Sequence, residues 1–165
     1  MKAQIQDIKR ALEAEAYLSA LALALTIPDA CGKRLALLTG KSGSSVGNKQ
    51  RYIAWYKKYL PDLDRYFLSA DDCYLLRCSY LHENEWELKK INLHHMTVGG
   101  WITLNESSFS GIDSYGIKHL VSNEISLDID IPYFCNVLCT AAEKFCAEFA
   151  DQCSFPALQI INYEY

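Results

Sequence analysis

The chain has no Cys-x-x-Cys pair, no apolar run long enough to cross a membrane, no internal repeat and no low-complexity tract. Each absence removes a class of answer. Without Cys-x-x-Cys pairs, zinc ribbons and dithiol redox motifs are excluded. The seven cysteines, at 31, 73, 78, 135, 139, 146 and 153, instead fall largely within apolar helical patterns, where free thiols pack as small hydrophobes. Cys135 and Cys139 stand four apart on one expected helix face, yet no nearby His completes the four ligands that zinc takes. Core packing is expected of them, with no metal and no cofactor. The apolar stretch from Ala16 to Leu25, followed by Cys31, has the outline of a lipoprotein leader, but it is too short to span a bilayer. Glu13 and Glu15 abut it, and Pro28 and Asp29 fill positions that a cleavage site gives to small or aliphatic residues. A buried helix, no membrane association and a reducing cytoplasm are the expectation. A phosphate-binding P-loop is missing as well: Gly40-Lys41-Ser42 ends like one, but Leu35 stands where its first glycine is needed to cradle the phosphate.

Acidic residues are absent from one long stretch. Lys33, Arg34, Lys41, Lys49, Arg51, Lys57 and Lys58 lie between Lys33 and Leu60 without a single Asp or Glu. That segment carries +7 in a chain whose formal net charge is −4, so the remainder carries −11. The overall charge argues against indiscriminate nucleic-acid binding, whereas a local basic surface attracts a phosphate ligand selectively. The plain alternative is a solvated face.

What is present is a core-forming composition. Half of the 165 residues are hydrophobic and 22% are charged, the profile of one globular domain spanning 1–165. Strong helix formers fill residues 3 to 26, and Thr26-Ile27-Pro28 is expected to stop that helix, because Pro28 lacks a donor and disfavours helix in Ile27. Gly40 to Gly47 reads as a loop. A second helix, Asn48 to Leu60, interleaves Tyr52, Trp55, Tyr56 and Tyr59 with Arg51, Lys57 and Lys58 until Pro61 ends it. Aromatics between cations can stack bases, although on a helix they more often fill the core while lysines stay wet. Lys49, Arg51, Lys57 and Lys58 are the candidate nucleic-acid contacts. A third helix opens on Ser69 as N-cap with Asp71 and Asp72 in its first turn, and runs to about His82. From Trp86 to Ile129 the pattern turns β-rich, and adjacent His94 and His95 face opposite sides of a strand there, which makes them poor joint ligands. A long final helix begins near Pro132 and continues to about Gln152, with Phe134, Leu138, Ala142, Phe145 and Phe149 spaced for a buried stripe. The tail from Phe155 is expected to dock on the body.

Near the end of the third helix stand Arg77 and His82, with Cys78, Ser79, Tyr80 and Leu81 between them. A cation able to hold a phosphate, close to the one side chain that titrates near neutral pH, is the minimum equipment for cutting RNA without a metal. Dipole and capping chemistry at a helix C-terminus favours the same residue types. In an α-helix, positions five apart sit about 140° around the axis. One chain alone therefore makes a poor site, and two copies across a twofold axis make a better one.

The Arg-x4-His spacing at Arg77 and His82, on one helix of a helical core, resembles the signature of the HEPN (higher eukaryotes and prokaryotes nucleotide-binding) superfamily. The resemblance implies a mostly α, α+β fold: a helical bundle with residues 86–129 as a β-hairpin or small antiparallel sheet inserted before the long C-terminal helix. It also implies a homodimer acting as a metal-independent endoribonuclease in a toxin or defence setting, with Arg77 and His82 catalytic and 2′,3′-cyclic phosphate ends as product. A cognate antitoxin or other protein partner would accompany such a toxin. Cys78 departs from the Asn, Asp or His that active members often carry after the Arg. A non-catalytic module of the same type, binding nucleotide, RNA or protein, is the alternative. An interaction protein that docks through its β-rich part is a third reading.

Overall fold

The computed structural model describes the backbone of residues 1–40, 46–83, 95–97, 101–103, 109–113, 116–121 and 124–150, and the side chains of 1–40, 46–81 and 129–150. The fold is mostly helical. Its helices are α1 (Lys2–Glu13), α2 (Tyr17–Leu25), α3 (Ile27–Leu38), α4 (Asn48–Tyr59), α5 (Pro61–Tyr66), α6 (Ala70–Cys78) and α7 (Ile131–Glu148). Among the described residues, no helix is long and apolar enough to cross a membrane.

The first expected helix is two. Glu15 takes a left-handed conformation (φ 56°), the Glu15 N–H donates to the Leu12 carbonyl and the Ala16 N–H to the Ala11 carbonyl, so the chain closes α1 with the paired bonds that usually call for glycine. α2 then turns back on α1. Pro28 corrects a second expectation: it does not stop a helix but occupies the second position of α3, where a missing N–H is no loss because that donor has no intrahelical partner. Thr26 makes the corner, its hydroxyl donating to the Leu23 carbonyl at 2.7 Å while Gln4 Nε2 donates to Thr26 Oγ1 at 2.8 Å. Pro61 likewise begins α5 as well as ending α4. The third expected helix is α-helical only to Cys78, and Ser79–Glu83 continues as a π-turn.

The core gathers Ile5 and Ile8 of α1, Leu21 and Leu25 of α2, Leu76 of α6, and the expected stripe of α7 through Phe134, Leu138 and Phe145. Cys31, Cys73, Cys135 and Cys139 are buried within it and form no disulfide among the described residues. The α4 aromatics belong there too. Tyr52, Trp55 and Tyr56 are fully buried, so they fill the core, the commoner of the two expected roles, and are not placed to stack bases. Tyr56 donates its hydroxyl to the Leu68 carbonyl at 3.0 Å.

In the backbone of 95–130, β1 (His95–Thr97), β2 (Trp101–Thr103), β3 (Phe109–Asp113), β4 (Gly116–Val121) and β5 (Glu124–Asp130) pair antiparallel in the order β1-β2-β5-β4-β3. β5 runs directly into α7: Ile129 and Ile131 are buried in the helical core, and the Asp130 side chain caps α7 by accepting from the Tyr133 N–H at 2.9 Å. The tail from Phe155, most of the Gly40 to Gly47 loop, and His94 lie outside the described residues.

Candidate functional site

Three helices converge at the site. Gly32 of α3 lies so close to α4 that a Cβ there would stand 2.4 Å from the Arg51 carbonyl oxygen. This close approach brings the N-terminal turn of α4 beside that of α3. α6 crosses α4 from the other side, with the Tyr52 hydroxyl 3.2 Å from Cys73 Sγ and the Tyr74 ring edge-on to Tyr52 at 5.2 Å. Between them opens a cleft of about 460 Å³ lined by Thr26, Asp29, Ala30, Lys33, Asn48, Arg51 and Arg77.

Arg77 stands in the last turn of α6. Its Nε donates to Asp29 Oδ2 at 2.8 Å, the two side chains being 20% and 26% exposed. Burial disfavours the guanidinium charge and the adjacent carboxylate outweighs it, so the Arg77 pKa is raised. Nη1 also lies 3.9 Å from Cys78 Sγ, a weak contact because sulfur is a poor acceptor. On the opposite wall Arg51 Nη2 donates to Asn48 Oδ1. Lys33, one turn beyond Asp29 on α3, is exposed. The cleft thus holds three cations against one carboxylate, at the first turns of two helices whose dipoles also favour anions.

The four candidate nucleic-acid contacts do not stay together. Arg51 lines the cleft. Lys49 pairs with Asp71 at 2.8 Å and lies over the Tyr74 ring. That carboxylate raises its pKa. Lys57 and Lys58 sit in the last turn of α4, about 10 Å along the axis from Arg51. Lys58 is tied there to Glu148 of α7 at 2.8 Å, a carboxylate that also accepts from the Tyr59 hydroxyl at 2.6 Å.

His82 has its backbone in the π-turn, and its side chain lies outside the described ones. The neighbouring Tyr80 anchors this turn by donating its hydroxyl to the Leu18 carbonyl of α2 at 2.8 Å. Among the described residues no group of three His, Cys, Asp or Glu side chains could hold a metal. Sequence reasoning misses Asp29, Lys33, Thr26 and Asn48 as site residues. Lys33 carries a signal in the acid-free segment, whereas Asp29 falls in a loop if Pro28 is a stop. No family model, no curated protein and no solved structure matches the chain.

Proposed function

We propose that this cleft is the RNA site of a metal-independent endoribonuclease of HEPN type, a cytoplasmic homodimer whose β-rich part is an insertion on the helical bundle. One observation carries the reading: Arg77, oriented by Asp29, lines a concave site together with Lys33 and Arg51. A guanidinium held by its Nε is presented in a fixed plane, the form in which it best meets phosphate oxygens.

His82 follows Arg77 by five residues across the change from α-helix to π-turn after Cys78. In the proposed reaction His82 accepts the ribose 2′-hydroxyl proton, O2′ attacks phosphorus, and the P–O5′ bond breaks. The imidazolium of the second copy's equivalent residue protonates the leaving O5′. Arg77 stabilises the charge that grows on the non-bridging oxygens. The products are a 2′,3′-cyclic phosphate and a 5′-hydroxyl.

Two features favour a second reading, in which the cleft binds RNA or a nucleotide without cutting it: Cys78 follows Arg77, and the Asp29 carboxylate competes with a phosphate for the guanidinium. Incubating a mixed single-stranded RNA pool with the protein in excess EDTA separates the two. The expected outcome is cyclic-phosphate ends from the wild type, with Arg77→Ala and His82→Ala each slower by roughly 100-fold or more and both variants still dimeric by light scattering. Undiminished cleavage by both variants overturns the assignment of these residues. Binding by all three without cleavage selects the second reading.

A further inference from the structure

A single phosphate at Arg77 would leave most of the cleft unused. Its volume of about 460 Å³ lies within the range of pockets that take a whole small ligand, about 300–1,000 Å³. Its other cations are placed apart from Arg77. Lys33 and Asp29 are four residues apart on α3 and share a helix face with about 6 Å between their Cβ atoms. Lys33 is thus displaced by one turn from the carboxylate that holds Arg77. Among the described residues, the Lys33 ammonium makes no hydrogen bond or ion pair, although Lys9, Lys49 and Lys58 all meet carboxylates. Arg51 enters from α4, its guanidinium bonded to Asn48 Oδ1 within its own helix, and among the described residues it pairs with no carboxylate.

We propose that Lys33 and Arg51 form a second phosphate subsite, holding the phosphodiester next to the one at Arg77, so that the cleft takes two consecutive phosphates of a single RNA strand. This rests on the RNA reading above and adds to it two positioning residues outside the Arg-x4-His pair. The concavity selects the strand. A duplex presents its phosphates along a stiff cylinder, whereas a flexible strand can bend both into one recess between three helices. Asp29 sharpens the choice, since a lone anion gains only the cation it meets, while two linked phosphates engage all three.

The test reads binding apart from cleavage. Fluorescence anisotropy of a short single-stranded oligoribonucleotide is followed across a salt series on the His82→Ala protein and on that protein carrying Lys33→Ala, Arg51→Ala, Arg51→Lys or Lys58→Ala. Removing one cation from a phosphate should flatten the dependence of log K on log salt by about 0.7. Lys33→Ala and Arg51→Ala should each show that change, while Arg51→Lys and Lys58→Ala keep the parent slope. Lys33 is exposed, so its variant folds, and Arg51→Lys controls for the packing of Arg51. Parent slopes in both alanine variants overturn the subsite, as does a parent protein with no affinity for RNA. If the flattening is found and no cleavage ever is, the nuclease reading fails while the subsite stands.

Discussion

Gly32 shows how a single missing Cβ decides where the site forms. α3 and α4 touch there backbone to backbone, and a methyl group would press on the Arg51 carbonyl at 2.4 Å, an atom that cannot swing aside. Gly32→Ala should therefore cost about 1–3 kcal/mol, the usual penalty for overpacking, measured as a lower urea midpoint with an unchanged slope. A midpoint equal to that of the wild type would mean that the helices separate freely and that the cleft is not held rigidly. Arg77 makes the same point in charge. Its partner is 48 residues away in the chain, and the pair is only partly buried, so its value lies in orienting a guanidinium more than in stability.

α6 carries Arg77, and its start is well secured. Ser69 Oγ accepts from the Asp72 N–H at 3.1 Å while donating to Asp72 Oδ2 at 2.6 Å, and Asp64 Oδ1 accepts from the Ala70 N–H at 2.7 Å. Two of the first N–H groups, which the helix leaves without intrahelical partners, are thus satisfied. Ser69→Ala should lower stability by about 1 kcal/mol, seen in thermal unfolding. RNA affinity should fall little, because the Asp29 contact positions Arg77 from the other end of the helix. A loss of binding larger than the loss of stability would show that the cap itself sets the Arg77 geometry. At the far end, the change from α-helix to π-turn after Cys78 is held by Tyr80, whose hydroxyl reaches α2. π-turns recur at functional sites because they shift the register of the residues that follow.

Across the whole molecule the basic segment does not form one basic face. Asp71 offsets Lys49 and Glu148 offsets Lys58, while Lys33 and Arg51 line the cleft. The α4–α7 contact also governs behaviour in alkali. Burial, followed by the bond to Glu148, pushes the Tyr59 phenol up to about 12, and burial pushes the Cys73 thiol up to about 12. Both groups are neutral when protonated and have raised folded-state pKa values. Their contribution is thus fully present below the unfolded values, about 8.5 for a thiol and about 10 for a phenol, and is lost as pH rises towards 12. Urea midpoints should fall through that window, and Tyr59→Phe should flatten the part of the fall above about pH 10. A midpoint independent of pH across the window would contradict the burial of both groups.

Much of this is legible from local signals. Ser69 as a cap, the entry of α7 near Pro132, and the buried stripe of Phe134, Leu138 and Phe145 follow from capping and periodicity, which a helix settles within a few residues. The π-turn after Cys78 and the left-handed Glu15 are not legible. No glycine marks that position, and the break between α1 and α2 is stabilised by α2 packing back on its neighbours, which outweighs strong helix propensity. Pro28 misleads for a related reason, since a proline ends one helix or begins another, and only the corner at Thr26 decides which. The sequence by itself determined the mostly helical character, the aromatic core of α4 and the candidacy of Arg77. Only the tertiary structure decided that Arg77 meets Asp29, that Lys33 and Arg51 share its cleft, and that Lys57 and Lys58 do not. Patterns along a chain report interactions over one or two turns, whereas an ion pair across 48 residues and a helix contact at Gly32 exist only once the helices have packed.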